Sequence, residues 1–375
     1  MRIAILLVLA LPMAMRSQPL TPTVITPLDT LLNETSELLE VDGSWWTILD
    51  SGNPHALYSI DPATGDILRT VTVTNAVNTD WEALASDADW LYIGDVGNNS
   101  GARTDLRVYR VPLSSVLDPD ITSMEADTIR FAYALQSDFT PAYNNTDWDC
   151  EAMVAADDSL FLFSKNRVTG TCYLYALPAT PGDHLAERRD TLDAQGLITG
   201  ASIDTAHGAI ALVGYSNGVY LPFIWRLADY SGHDFFQGTA QRHDLAIGIT
   251  QMEGIAWNGP FQLYMTSEQN SPDVARLWEL ELDSTIGIIP PPSQALGPVP
   301  APLLVHPNPA NDRVSLSSLF GVGRWQVTDT QGRVLLDGST TTTAQAIDLS
   351  SLAPGVYLLI VTDAMGQRVV RVVKR

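Results

Sequence analysis

The chain repeats itself, and an internal repeat restricts the fold more than composition can. Asn78-Thr79-Asp80-Trp81-Glu82-Ala83-Leu84 returns as Asn145-Thr146-Asp147-Trp148-Asp149-Cys150-Glu151-Ala152-Met153, with two extra residues before the glutamate. Each glutamate leads into an apolar run, Trp90-Leu91-Tyr92-Ile93 in one copy and Leu160-Phe161-Leu162-Phe163 in the other. A third copy aligns without a gap at an offset of 45, which places Glu37 on Glu82, Trp45 on Trp90 and Asp50 on Asp95. A fourth begins at Met252-Glu253-Gly254 and runs into Ser267-Glu268-Gln269-Asn270, and a more divergent fifth starts at Thr199-Gly200-Ala201. Further strand-like segments follow, such as Leu106 to Val111 and Thr128 to Ala134. Four short strands per unit, recurring at roughly 40 to 70 residues, describe the blades of a β-propeller. The expected class is therefore all-β. Five blades fall at 35–77, 78–145, 146–197, 198–248 and 249–285 of a propeller spanning 20–285; six stays open if a long insertion hides another. The last copy lacks a fourth strand, and Val24 to Leu32 is expected to supply it and close the ring without free edges.

In a blade, the start of the innermost strand and the end of the second open on the same face. The repeat thus predicts a ring of Glu37, Glu82, Glu151 and Glu253 around one channel mouth, with Ala201 or Gly200 leaving a gap in the fourth blade. Asp50, Asn53, Asp95, Asn98, Lys165 and Glu268 are expected just outside that ring, with Trp81 and Trp148 beside them. Carboxylate and amide oxygens suit a hard cation such as Ca²⁺, whereas zinc would want His or Cys. The four glutamates are the expected ligands. The competing role for each is a lock that accepts N–H bonds from the neighbouring blade. Lys165, the only lysine before the C-terminal domain, is either a counter-charge for the ring or a solvated loop residue.

Composition narrows the partners. Asp and Glu number 43 against 21 Lys and Arg, a net charge of −22, which repels phosphate backbones and anionic lipid and excludes nucleic acid as a ligand. The six histidines show no HExxH spacing, no Gly-x-Ser-x-Gly elbow occurs, and Gly94-Asp95-Val96-Gly97 is no phosphate loop. Two functions remain: a binding or scaffold module for an extracellular ligand, and a Ca²⁺-dependent propeller hydrolase of the lactonase or phytase kind. The want of a recognisable general base favours the first, and whether the chain is an enzyme stays open. Cys150 and Cys172 should both lie on the mouth face, where a disulfide would close the intervening loop, although one strand separates them.

The two ends are addresses. Met1-Arg2, an apolar run from Ile3 to Met15 and then Arg16-Ser17 make a secretory signal peptide over 1–17, too short for a membrane span. No later run is long enough to span, and export implies an oxidising setting. Residues 286–302 include Pro290-Pro291-Pro292, Pro298, Pro300 and Pro302, a semi-rigid linker. Residues 303–375 then carry five Asp and no Glu against six Arg and one Lys, a net of +2 that leaves −24 for the rest. Short β patterns separated by Asp329-Thr330-Gln331-Gly332 and Ala353-Pro354-Gly355 predict a small β-sandwich.

Within that last segment His306-Pro307-Asn308-Pro309-Ala310, Val327-Thr328-Asp329-Thr330-Gln331-Gly332-Arg333, Ile347-Asp348-Leu349 with Leu352, Pro354-Gly355-Val356-Tyr357 and the ending Gly366 to Lys374-Arg375 stand in order. The segment resembles the type A sorting domain of the type IX secretion system of Bacteroidetes. The resemblance implies the type IX machinery as a partner, transport across the outer membrane, and release or attachment at the cell surface.

Overall fold

The computed structural model describes residues 19–270, 273–282, 304–317, 323–328, 333–340, 344–363 and 366–375. The segments expected as a signal peptide and as a proline-rich linker, and the expected turn at Asp329-Thr330-Gln331-Gly332, lie outside the described residues. The chain divides into two compact units, Met1–Pro292 and Ser293–Arg375.

Five antiparallel four-stranded blades make up the first unit. Blade 1 comprises Thr35–Val41, Ser44–Leu49, Ala56–Ile60 and Ile67–Val73; blade 2, Trp81–Ser86, Trp90–Asp95, Arg107–Pro112 and Asp127–Tyr133. Blade 3 comprises Cys150–Ala156, Ser159–Ser164, Cys172–Pro178 and Gly182–Leu192; blade 4, Leu197–Asp204, Ala209–Tyr215, Pro222–Ala228 and Thr239–Asp244. Blade 5 takes Met252–Trp257, Gln262–Ser267 and Arg276–Glu281, and Thr23–Pro27 pairs antiparallel with Arg276–Glu281 as its outermost strand. The closing strand is shorter than expected, because Thr30–Leu32 turns into a 3₁₀ helix capped by the Asp29 side chain. Each innermost strand packs on the next around the ring, and that of blade 5 returns to blade 1. The ring is closed with five blades.

Burial explains why these segments are strands. The second strands of blades 3 and 4, Leu160 to Phe163 and Ile210 to Val213, are buried on both faces and so read as continuous apolar runs. Outer strands touch solvent and alternate, as in Asp127–Tyr133 with Ile129, Phe131 and Tyr133 inward. Between blades 2 and 3 the outermost strands, Asp127–Tyr133 and Gly182–Leu192, pair in parallel and join the two blades into one eight-stranded sheet. Tyr133 fills the wedge there, 4.6 Å from Tyr175 and 5.5 Å from Trp148 between ring centroids.

The second unit is two sheets, Leu304–His306 with Arg313–Ser317 and Ala344–Asp348, and Val334–Thr340 with Gly323–Thr328, Gly355–Asp363 and Gly366–Lys374. Ala310, Val314, Leu316, Val327, Ile347, Leu349, Leu359 and Val361 share one core. No helix among the described residues is long and apolar enough to cross a membrane.

Candidate functional site: the acidic channel mouth

One backbone irregularity, repeated five times, builds the mouth. In every blade the innermost strand carries an extra residue against its neighbour: Thr35 and Glu37 oppose Leu49 and Ile48, and Trp81 and Ala83 oppose Asp95 and Gly94. The same shift falls between Cys150 and Ala152, Ile198 and Gly200, and Met252 and Gly254. A bulge of this kind leaves one residue out of the ladder and re-aims its side chain. The bulged residues are Ser36, Glu82, Glu151, Thr199 and Glu253.

This register corrects two expectations. Blades 1 and 2 superpose at an offset of 46 rather than 45, so Ser36, not Glu37, is the counterpart of Glu82. In blade 4 the position belongs to Thr199 instead of Gly200 or Ala201. The two hydroxyls act as blade locks: Ser36 Oγ donates to Trp81 O at 2.9 Å, and Thr199 Oγ1 donates to Met252 O at 2.6 Å. Glu37, one residue along, is fully buried and reaches inward, where Oε1 accepts from Leu38 N at 3.0 Å and Ile255 N at 3.1 Å, and Oε2 accepts from Ala201 N at 3.3 Å. One carboxyl therefore ties blades 1, 4 and 5 together across the channel. Burial pushes it well above the ordinary carboxylate range despite these donors. With both oxygens engaged by backbone N–H groups, Glu37 acts as a lock between blades.

The remaining glutamates gather. Glu82, Glu151 and Glu253 are buried at the mouth, with Asp50 and Asp80 beside Glu82, and Glu268 and Asp50 acting electrostatically on Glu253. Burial, then Glu151 and Asp50, drive Glu82 well above its ordinary value. Burial and the facing Asp50 raise Asp80 to about 8. Glu151, Glu253 and Glu268 also rise to about 8, chiefly through burial, with Lys165 opposing the rise in each. Lys165 is buried and ion-paired with Glu151, and its ammonium sits 5.1 Å from the Tyr215 ring centroid. Burial alone would lower it, but Glu151, Tyr215 and Glu253 together outweigh that and hold it above its ordinary value. Lys165 is thus the counter-charge. Arg167 supports it, 3.2 Å from Asp149 and 3.7 Å from Glu151.

Other expected rim residues serve the scaffold. Asp95 is buried and turns away to Arg103 at 2.9 Å and Arg107 at 3.3 Å. Asn98 joins blades 2 and 3, its N–H donating to Asp149 Oδ1 at 2.7 Å and Nδ2 to Trp148 O at 3.2 Å. Asn53 Nδ2 donates to Asp50 O at 3.1 Å within its own loop and to Glu34 Oε2 at 2.6 Å, just ahead of the blade's first strand. Trp81 is buried, its Nε1 donating to Val77 O, and Trp148 packs against Tyr133. Asp80, Asp149, Arg167 and Tyr215 were not in the expected set. Asp80 had a signal, since it belongs to the repeated Asn-Thr-Asp-Trp segment.

The expected disulfide is absent: Cys150 and Cys172 are free, buried thiols. Cys150 pairs with Ser164 in the ladder, and the strand Ser159–Ser164 stands between the two cysteines, so their Cα atoms are about 10 Å apart against a limit near 7 Å. They also pack into different cores, Cys150 on the blade 2 side and Cys172 on the blade 4 side. At the opposite end of the channel a cavity of about 340 Å³ is lined by Leu39, Ser86, Ala155, Ser202, Asp204 and Trp257. It has no comparable gathering of carboxyls.

Among solved structures, the chain is similar to PorZ, a surface component of the type IX secretion system of Porphyromonas gingivalis, at 13% identity and a TM-score of 0.37, over 91% of this chain and 45% of that one. This chain thus spans less than half the length of PorZ. It is also similar to an exo-β-1,3-galactanase from Phanerochaete chrysosporium at 10% identity and a TM-score of 0.43, over 94% and 98% of the two chains. The propeller assignment rests on the strand pairing of the ring itself. No curated protein matches the chain. Residues 304–375 match the family of secretion system C-terminal sorting domains, which marks the protein as one exported by the type IX system and attached at the cell surface.

Proposed function

We propose that the propeller is a cell-surface binding module whose ligand-binding face is the acidic mouth, and that the ligand is cationic. One observation carries this reading: the repeated bulge turns glutamates from three blades into one mouth, where Lys165 and Arg167 are outnumbered by Asp50, Asp80, Glu82, Asp149, Glu151, Glu253 and Glu268. Crowded carboxyls in a low-dielectric site hold protons until a cation replaces them. The loops of the same face expose Val77, Tyr143, Val168, Val219, Leu221 and Ile249, an apolar collar of the kind that supports docking of a partner. A second reading, a metal-dependent hydrolase of the lactonase or phytase kind, is favoured by the proximity of Asp50, Asp80 and Glu82.

Defined cationic probes test the proposal. Full-length protein and its Glu82→Gln/Glu253→Gln variant are compared for binding of Ca²⁺, spermine and polylysine at roughly 0.15 M salt, where exposed charges alone are screened. Binding of at least one probe that the variant loses is the expected result. No binding, or equal binding by both proteins, overturns it. Turnover of a lactone or phosphate ester in the presence of Ca²⁺ would transfer the mouth to the second reading.

A further inference from the structure

We propose that blade 4 carries a second site, opposite in sign to the mouth, in which Arg226 and His243 take a small monocarboxylate on the face turned to blade 5. Arg226 lies on the strand Pro222–Ala228 opposite Gln241 of Thr239–Asp244, and His243 lies two residues further on, opposite Ile224. Alternation puts Ile224, Arg226, Gln241 and His243 on one face of the blade. That face looks toward blade 5, because Ile224 shares a core with Leu263, Trp278 and Leu280. On its other side Arg226 is opposite Ala211, the smallest neighbour a long side chain could have in a strand short of glycine. Diagonal neighbours in a ladder are within reach of long side chains, and Arg226 acts electrostatically on His243.

The strip is charged and unpaired. Arg226 is 4% exposed, and among the described residues its guanidinium makes no hydrogen bond and no ion pair. Asp229, the acid that acts on it, is exposed and accepts from Thr239 Oγ1 at 2.9 Å. Other acids turn away: Asp244 is ion-paired with Arg242, and Glu279 and Glu281 flank Leu280 and so fall on the opposite face of their strand. His243 is also 4% exposed, and neither ring nitrogen has a hydrogen-bond partner; the buried Oε1 of Gln241 has none either. A buried charge facing an apolar wall without a partner is strongly destabilising, and an anion removes that penalty. Charge balance selects the anion. Burial, and then Arg226, hold His243 below its ordinary value, so at neutral pH the pair carries one positive charge. A monoanion cancels it, whereas a phosphate dianion would leave one charge buried. The guanidinium fork matches both oxygens of a carboxylate, the imidazole donates one N–H, and a half-turn of the Gln241 amide supplies an NH₂. So little of Arg226 and His243 is exposed that a small molecule fits and a folded partner does not.

Saturation-transfer NMR of the full-length protein in low-chloride buffer, read on the methyl protons of acetate, tests the site. A chain of net charge −22 repels anions, so transfer to acetate requires a local cation. Transfer that saturates with acetate concentration is expected in the wild type and should be lost in Arg226→Met. Should that variant fail to fold, Arg226→Lys takes its place: it keeps the charge without the fork and should weaken binding at least about tenfold. At slightly alkaline pH, where inorganic phosphate is the dianion, an equal concentration of phosphate should not displace the acetate. Absence of transfer in the wild type, equal transfer in the Arg226 variants, or displacement of acetate by phosphate overturns the site.

Discussion

Replacing Glu37 by methionine separates the hydrogen-bonding role of the lock from its volume. The thioether chain fills about the same space but accepts nothing comparable, so the N–H groups of Leu38, Ile255 and Ala201 lose their carboxyl acceptor inside the channel. A buried donor left without a partner costs about 1–3 kcal/mol, so the three together predict roughly 3–9 kcal/mol. Against a typical folding free energy of about 5–15 kcal/mol, that brings the propeller close to unfolding. Glu37→Gln keeps Oε1 for Leu38 and Ile255 but turns an NH₂ toward Ala201 N–H, and should cost about 1–3 kcal/mol, the price of one bond. Urea denaturation followed by tryptophan fluorescence measures both variants. Eight of the nine tryptophans lie before residue 280 and only Trp325 in the sorting unit, so the signal reports the propeller. A methionine variant within about 1 kcal/mol of wild type would refute the lock, because even one orphaned donor should exceed that.

Three further outcomes are expected. In chelator, stability should fall as pH rises from about 5 to 8, because folded Asp80, Glu253 and Glu268, each raised to about 8, keep protons that the unfolded chain has released. Each retained proton contributes about −1.4 kcal/mol per pH unit, and His243, held below its ordinary value by burial, opposes with a single proton near neutrality; urea midpoints that stay flat or rise over this range contradict the burial of the mouth. Lys165→Met should destabilise by about 3–5 kcal/mol in the same assay, since it strands buried Glu151 without its ion-pair partner; a loss below about 1 kcal/mol would mean that Arg167 suffices. Deleting residues 304–375 should leave a folded propeller that reaches neither the surface nor the medium; fractionation that finds it exported would contradict the role of the sorting domain.

The blade number was legible because each blade announces itself by an inner pair of strands buried on both faces, and such runs stand out from the alternating outer strands. Strand closure was legible for a different reason: a lone β segment before the first blade and a missing strand in the last have one economical solution. The site was harder to read because its residues are aimed by hydrogen-bond register, which identity matching does not sense. Aligning Glu37 with Glu82 also superposes Trp45 on Trp90 and Asp50 on Asp95, three like pairs at one offset. The ladder nevertheless runs one residue out of step with that match. A slip of one residue reverses the face of every side chain in a strand. Glu37 consequently becomes a lock where Glu82 becomes part of the mouth, and Asp95 turns to Arg103 and Arg107 while Asp50 turns to Asp80 and Glu82. The repeat thus carries two kinds of information. Its spacing sets the number of blades, whereas the bulge within it decides which acids share a solvent-starved space. That sharing gives the mouth its chemistry: the same carboxyls dispersed on an acidic surface would be ordinary charges, but gathered around one paired lysine they hold protons or a cation.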